Sequence, residues 1–236
     1  MSVSIRNQVA LVVGASSGIG RECAILLAQE GVKVMAAARR KDRLESLREH
    51  GIEVLAADAG DVARMEGLVA HTRETLGPID IVVYATGTNV PDRSLKRLNT
   101  GIWDMMLNVN LNGAYYVTQA VLPEMRERKS GHLIYIASIS GLFPDVSGAA
   151  YQAAKRGMLG LSHAVRVEEK ENGIRTCVVC PGLVDTEILD KRPVKPPPET
   201  LAKALQSIDV AEAVLFVAKL PPRAAVPEMQ VMPTYL

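Results

Sequence analysis

Aromatic side chains are scarce in this sequence: six Tyr, two Phe and one Trp among 236 residues. A core built on large rings is therefore excluded, and so is a platform of stacked aromatics for single-stranded nucleic acid. An excess of one charge is also missing. Lys and Arg number 27 against 26 Asp and Glu, a formal net charge of +1, so no field draws nucleic acid or an anionic membrane surface to the chain. No apolar stretch approaches the roughly 20 residues that cross a bilayer. The opening segment MSVSIRNQVALVVG lacks a basic region followed by an apolar signal core, and the expected compartment is the cytoplasm. There is no internal repeat and no long linker, and the whole chain, 1–236, is expected to form one domain.

Cysteine is limited to Cys23, Cys177 and Cys180, too few for a disulfide framework. The CVVC spacing of the last two resembles a redox or zinc motif, but it lies in GIRTCVVCPG, an apolar run that reads as a buried strand. Residues three apart on a strand point to opposite faces. With no second cysteine pair and four scattered histidines, core packing is the expectation and no metal is assigned.

What is present is alternation. Short apolar runs (QVALVVG, VKVMAAA, IEVLAAD, IDIVVYATG, GHLIYIAS, IRTCVVCPG and AAVPEMQVM) alternate with segments of helical period. Gly31 is placed to end the first helix. KDRLESLREHG reads as a helix, and a long helical region is expected from about Thr100 to Arg128. Nearly continuous apolar strands separated by helices predict an α/β fold. Its form is a Rossmann-like, doubly wound parallel sheet of about seven strands with helices on both faces. In such a fold ligands bind beyond the C-terminal ends of the strands, so the informative residues should follow each strand. The proline-dense KRPVKPPPET is expected on a surface excursion of about residues 187–205.

GASSGIG follows the first run. Gly14 permits a tight turn, and Gly18 and Gly20 permit close backbone approach and helix packing. The helix that starts here offers free N–H groups and a positive dipole end to a pyrophosphate. The second run ends in AAARRKDR, with Ala38 where an NAD site tends to carry an acid, then Arg39 and Arg40. Guanidinium groups suit a 2′-phosphate, and cations at a helix start oppose its dipole unless an anion joins them. NADP(H) is therefore favoured over NAD(H).

YQAAK, Tyr151 to Lys155, puts a phenol and an ammonium on one helical face. Taken with GASSGIG, ADAGD, NVNLNG, IASISG and CPGLVDT, in that order and spacing, it makes the chain resemble the classical short-chain dehydrogenase/reductases over nearly its whole length. The resemblance implies a catalytic set of Asn110, Ser138, Tyr151 and Lys155. Ser138 is preferred to Ser140 because it lies thirteen residues before Tyr151, the family's usual offset, and Asn108 is the neighbour competing with Asn110. It further implies cofactor contacts from Gly14, Ser16, Ser17, Gly18, Ile19, Gly20, Arg39, Arg40, Asp58, Ala59, Gly87, Tyr151, Lys155, Pro181, Gly182, Val184 and Thr186. Two departures stand out. Val13 replaces the usual Thr, and YATG, with Tyr84 and Ala85, replaces Asn-Asn-Ala-Gly, which removes side-chain bonds that brace the sheet and cofactor loop.

In the chemistry so implied, Tyr151 is the general acid or base. The Lys155 ammonium and an oxidised nicotinamide would lower its pKa from the free value of about 10. Ser138 would hydrogen-bond the substrate oxygen, Lys155 would hold the nicotinamide ribose, and Asn110 would position a water in a proton relay. Leu142, Phe143 and Val146 are expected in the pocket wall. Lys191, Arg192 and Lys195 read as a solvated cluster, with attraction of an acidic substrate as the alternative.

The expected activity is an NADP-dependent interconversion of a small alcohol and its carbonyl compound. The C-terminal segment resembles members acting on 3-hydroxy acids or serine. A 3-oxoacyl thioester reductase, a broad carbonyl reductase and a non-catalytic dinucleotide-binding regulator are the alternatives. A homotetramer or dimer is expected, joined through GAYYVTQAVLPEM and YQAAKRGMLGLSHAV.

Overall fold

The apolar runs become seven strands in a computed structural model that describes residues 2–235. They are β1 Val9–Val13, β2 Lys33–Ala38, β3 Glu53–Ala56, β4 Ile81–Tyr84, β5 Gly131–Ile136, β6 Ile174–Pro181 and β7 Glu228–Val231. All neighbours pair in parallel, in the order β3-β2-β1-β4-β5-β6-β7. The order reverses between β1 and β4, which opens a crevice at their C-terminal ends.

Residue alternation sorts the strand side chains into two layers. Ala10, Val12, Val34, Ala36, Val83, Cys177 and Val179 face one layer, with α1 (Gly18–Gln29) and α8 (Ser207–Ala218). Leu11, Val13, Met35, Tyr84, Tyr135, Val178 and Cys180 face the other, with α3 (Val62–Leu76), α5 (Gly113–Arg128) and α6 (Ala149–Glu169). Cys177 and Cys180 thus lie on opposite faces, as strand alternation requires. The scarcity of rings shows in the core, which is aliphatic. Both Phe143 and Phe216 are exposed, while the two fully buried tyrosines satisfy their hydroxyls. Tyr135 shares a hydrogen bond with Thr118 at 2.7 Å.

Helix boundaries follow local chemistry. Gly31 adopts φ +80° after α1, and the bonds Gly31 N–H to Ala28 and Val32 N–H to Leu27 close the helix. Asp61 caps α3 by accepting from the Arg64 N–H at 3.2 Å. KDRLESLREHG is only partly α-helical: α2 (Lys41–Glu45) tightens into a 3-10 turn, Ser46–His50, which Gly51 ends with φ +72°.

The region expected to be helical from about Thr100 to Arg128 is helical throughout, but not uniformly. α4 (Thr100–Leu107) passes through a wide, π-helical turn, Asn108–Asn112, before α5 begins. The cause is side-chain competition for the backbone. Asn110 sends its amide to the Met106 carbonyl at 2.9 Å and to the Thr88 carbonyl at 3.1 Å, and accepts from the Thr88 N–H at 2.9 Å. Tyr84 reinforces the turn by donating its hydroxyl to the Val109 carbonyl at 2.7 Å. The bracing lost with the usual Asn pair is therefore replaced, through a different group. Gly113 makes room for it, since a Cβ there would clash with the Tyr84 hydroxyl.

Between β6 and α8 the chain forms a 3-10 turn, Glu187–Lys191, and the short α7 (Pro198–Leu201). Among the described residues, no helix is long and apolar enough to cross a membrane.

Tyr84→Phe should lower the unfolding free energy by about 1–2 kcal/mol, because it leaves the buried Val109 carbonyl unpaired. Urea denaturation measures this, and an unchanged midpoint would remove the bracing role.

Candidate functional site

The C-terminal ends of β1, β4, β5 and β6 surround a cavity of about 840 Å³. At one end lies the glycine loop. Gly14 has φ +98°, and a Cβ on it would sit 2.6 Å from the Thr86 nitrogen; one on Gly20 would sit 2.4 Å from the Gly14 oxygen. Neither position admits a side chain. Gly18, Ile19 and Gly20 line the cavity at the N-terminus of α1, whose Ser17 cap makes no side-chain bond to the helix. The free N–H groups of this first turn face a space bordered by Thr186, whose methyl carbon is 3.4 Å from a Cβ built at Gly18. An anion fits there.

Beyond β2, Arg39 and Arg40 also line the cavity. Arg40 donates to the Ser16 hydroxyl at 3.0 Å, to the Ser17 hydroxyl at 2.7 Å and to the Glu187 carboxylate at 2.8 Å. Arg43 donates to the other oxygen of the same carboxylate. Glu187 is thus a protein anion seated between two guanidiniums. Its part and that of Arg43 were not read from the sequence. Arg43 sits one helical turn beyond Arg39 and Arg40, a spacing that could have signalled it. Asp58 stands at the rim, accepting from the Gly60 N–H at 3.0 Å, with Ala59 buried beside it.

After β6, Gly182 donates to the Val231 carbonyl at 2.8 Å and Pro181 pairs with Val231. Leu205 bonds to the Leu183 carbonyl at 3.0 Å and the Asp185 N–H at 2.8 Å. In this parallel bridge the peptide groups of Val184 itself point away from Leu205, and Val184 lines the cavity.

At the other end of the cavity the structure brings Ser138, Tyr151 and Lys155 together, with Gly87 beside them. Lys155 is 3% exposed. Its ammonium donates to the Ile136 carbonyl at 2.9 Å and lies 5.7 Å from the centre of the Tyr151 ring. Burial depresses its pKa to about 8, an effect opposed by Cys180. Tyr151 does not follow Lys155: burial pushes it up to about 12, against hydrogen bonding with Ser138, while Asp145 raises it further and Arg192 and Arg93 lower it. Lys155 fails to lower it because its ammonium sits against the ring face and binds a carbonyl, rather than the phenol oxygen. The tyrosine is accordingly protonated at neutral pH in this state.

Ser138 donates to the Ser140 hydroxyl and accepts from the Ser140 N–H, both at 3.2 Å. Ser140 is committed elsewhere, donating to Asp145. Asn108 bonds to the Gly60 carbonyl at 2.9 Å, away from the cavity, whereas Asn110 is fully buried against Thr88. A Cβ built on Gly87 would lie 3.4 Å from Asn110 Oδ1 and 3.5 Å from Lys155 Nζ, so Gly87 leaves a gap between the two. Of the expected apolar wall, Val146 lines the cavity. Leu142 instead packs against the core and Phe143 is exposed, because the turn Ile139–Gly141 directs them away. Lys195 pairs with Asp190 at 2.7 Å, while Lys191 and Arg192 line the cavity.

The short chain dehydrogenase model matches residues 8–196. An uncharacterized oxidoreductase of Staphylococcus aureus (strain USA300) is 35% identical over 233 residues, covering 97% of this chain and 98% of the relative. Among solved structures, the closed form of a serine dehydrogenase complexed with NADP+ has a TM-score of 0.87 and 30% identity, covering 95% of this chain and 94% of the other. An alcohol dehydrogenase from the archaeon Thermococcus sibiricus, complexed with 5-hydroxy-NADP, has a TM-score of 0.85 and 29% identity, covering 97% of each chain.

Gly87→Ala should fold normally, since its methyl meets only ordinary contact distances, yet reduce turnover at saturating cofactor about tenfold by filling the Asn110–Lys155 gap. Thermal unfolding and steady-state rates measure the two effects; full turnover would show that no proton crosses the gap.

Proposed function

Because the chain belongs to the short chain dehydrogenase family, we propose that it is an NADP-dependent enzyme interconverting a small alcohol and its carbonyl compound in the cytoplasm. The observation that carries this reading is the convergence of Ser138, Tyr151 and Lys155 on one end of a cavity whose other end is an uncapped helix start.

The residues fit a dinucleotide. The loop Gly14–Gly20 admits the pyrophosphate, with Thr186 beside it. Asp58 and Ala59 would border the adenine, and Pro181, Gly182 and Val184 the carboxamide. For the 2′-phosphate, Arg40 and Arg43 already hold a carboxylate, and Arg39 stands beside them. Arg40 and Glu187 are 42% and 49% exposed, so their pairing is worth less than about 1 kcal/mol. A phosphate that engages two guanidiniums and the Ser16 and Ser17 hydroxyls displaces Glu187 readily. NADP(H) neighbours support the same preference.

When bound, the nicotinamide supplies or accepts the hydride. Tyr151 holds its proton at the phenol oxygen, and the raised pKa suits a general acid that protonates a forming alkoxide. Ser138 donates to the same substrate oxygen and stabilises its charge. Lys155 would hold the ribose and return a proton to Tyr151, resupplied from solvent through a water that Asn110 would position at the Gly87 gap. For oxidation the phenol must lose its proton, and Ser138, Arg93 and Arg192 all favour that form. The outward faces of α4, α5 and α6 expose Met105, Tyr115 and Val167, which supports assembly of two or four copies.

NADPH and NADH oxidation should be followed against aldehydes, ketones and 3-oxo acids. Turnover with NADPH preferred is expected, abolished in Tyr151→Phe, with the preference narrowed tenfold or more in Arg40→Ala. A preference for NADH would remove the arginine argument, and tight NADPH binding without turnover would favour a dinucleotide-binding regulator.

A further inference from the structure

The segment that follows β4 carries a charge that the chemistry above uses only at a distance, through its effect on Tyr151. Arg93 is 8% exposed, and arginine is rarely so buried unless paired. Here it has no carboxylate partner among the described residues. One terminal nitrogen donates to the Lys191 carbonyl at 2.7 Å, and its Nε is buried with no hydrogen-bond partner. A neutral carbonyl compensates poorly for a desolvated guanidinium.

The side chain is nonetheless held in place. Gly148, with φ +91°, lies directly on it: a Cβ there would be 2.7 Å from the Arg93 Cβ and 2.8 Å from its carbonyl oxygen. Gly148 precedes Tyr151 by three residues, so the contact fixes Arg93 relative to the phenol. Asn89 strengthens it by donating to the Ser147 carbonyl at 3.0 Å. Arg93 and Arg192 both line the cavity, and both are close enough for their charge to act on Tyr151. The nearest acid, Asp145, is committed to the Ser140 hydroxyl and to the N–H and hydroxyl of Ser147. At this wall of the cavity the two guanidiniums outnumber that one committed carboxylate.

We propose that this charge receives a carboxylate of the substrate, held by Arg93 with Arg192, so that the carbonyl or alcohol acted on belongs to a small acid. The assignment rests on the redox reading of Tyr151 given above and adds the substrate class to it. A guanidinium that lines the cavity, with one nitrogen bonded to a carbonyl, offers its fork to a planar carboxylate, and a neutral analogue leaves the charge unanswered, which is the condition for strong discrimination. A basic stretch near Lys191 is visible in the sequence, but Arg93, separated from it by about a hundred residues, is joined to it only by the fold.

The test compares 3-oxobutanoate with its methyl ester under saturating NADPH. Wild type should favour the acid in kcat/KM, and Arg93→Met should reduce the acid-to-ester ratio about 100-fold, mainly through KM, with part restored in Arg93→Lys. Equal use of acid and ester by wild type overturns the assignment without any variant. A proportional loss on both substrates in Arg93→Met also overturns it, and leaves Arg93 as a staple for the Lys191 segment. A second measurement needs no turnover. With NADP+ present, the Tyr151→Phe protein should bind 3-hydroxybutanoate in preference to 3-hydroxybutanamide by calorimetry, and the double variant with Arg93→Met should lose that preference. Selective binding of the acid without turnover in wild type would sustain the carboxylate site and sink the redox reading. Equal binding of acid and amide would sink the site, whatever the turnover.

Discussion

The Lys155 ammonium is withdrawn from water and answered by a single carbonyl and the face of a tyrosine ring. Burying such a charge costs several kcal/mol, and the surroundings are shaped by that cost. Ile136 ends β5 with its carbonyl directed at the charge. α6 must start early enough to bring Tyr151 one turn before Lys155, and the positive-φ Gly148 sets that start. The depressed pKa of about 8 is the part of the cost left uncompensated. It keeps the ammonium close to neutrality, where giving up or regaining a proton requires little work.

The wide turn at Asn110 is the second constraint, and it depends on the sheet. Tyr84 at the end of β4 and Thr88 just beyond it hold the turn from below, and Gly113 yields the space that the Tyr84 hydroxyl needs. A helix cannot give up its regular bonds at this point without replacements, and each replacement is a named side chain or backbone group. The position of Asn110 therefore depends on a tyrosine buried in the core.

The sheet was legible because every strand is an apolar run with a glycine or polar boundary, and the two cysteines of CVVC could be assigned to opposite faces by counting. The phosphate end was legible because glycines at 14 and 20 have no substitute where backbone crosses backbone. Other features depend on contacts that no local pattern carries. The wide turn within the Thr100–Arg128 helical region follows from bonds between Asn110 and Thr88. The pairing of Arg40 and Arg43 with Glu187 joins residues far apart in the chain. The wall expected from Leu142 and Phe143 depended on the direction of one tight turn. The pKa of Tyr151 was expected to fall through Lys155 and an oxidised nicotinamide together; of the two, Lys155 does not lower it, because the ammonium faces the ring and burial dominates.

The cysteines give the layered core an unplanned use. Cys23, Cys177 and Cys180 are all free and buried, and burial raises each thiol's pKa, to about 12 for Cys177 and Cys180, so none reacts readily while the sheet is closed. Cys177 belongs to one layer and Cys180 to the other. A thiol reagent therefore meets β6 only when the helices on one side have moved away, and the side is recorded by which sulfur is modified. The protein carries within a single strand a record of which layer opens first.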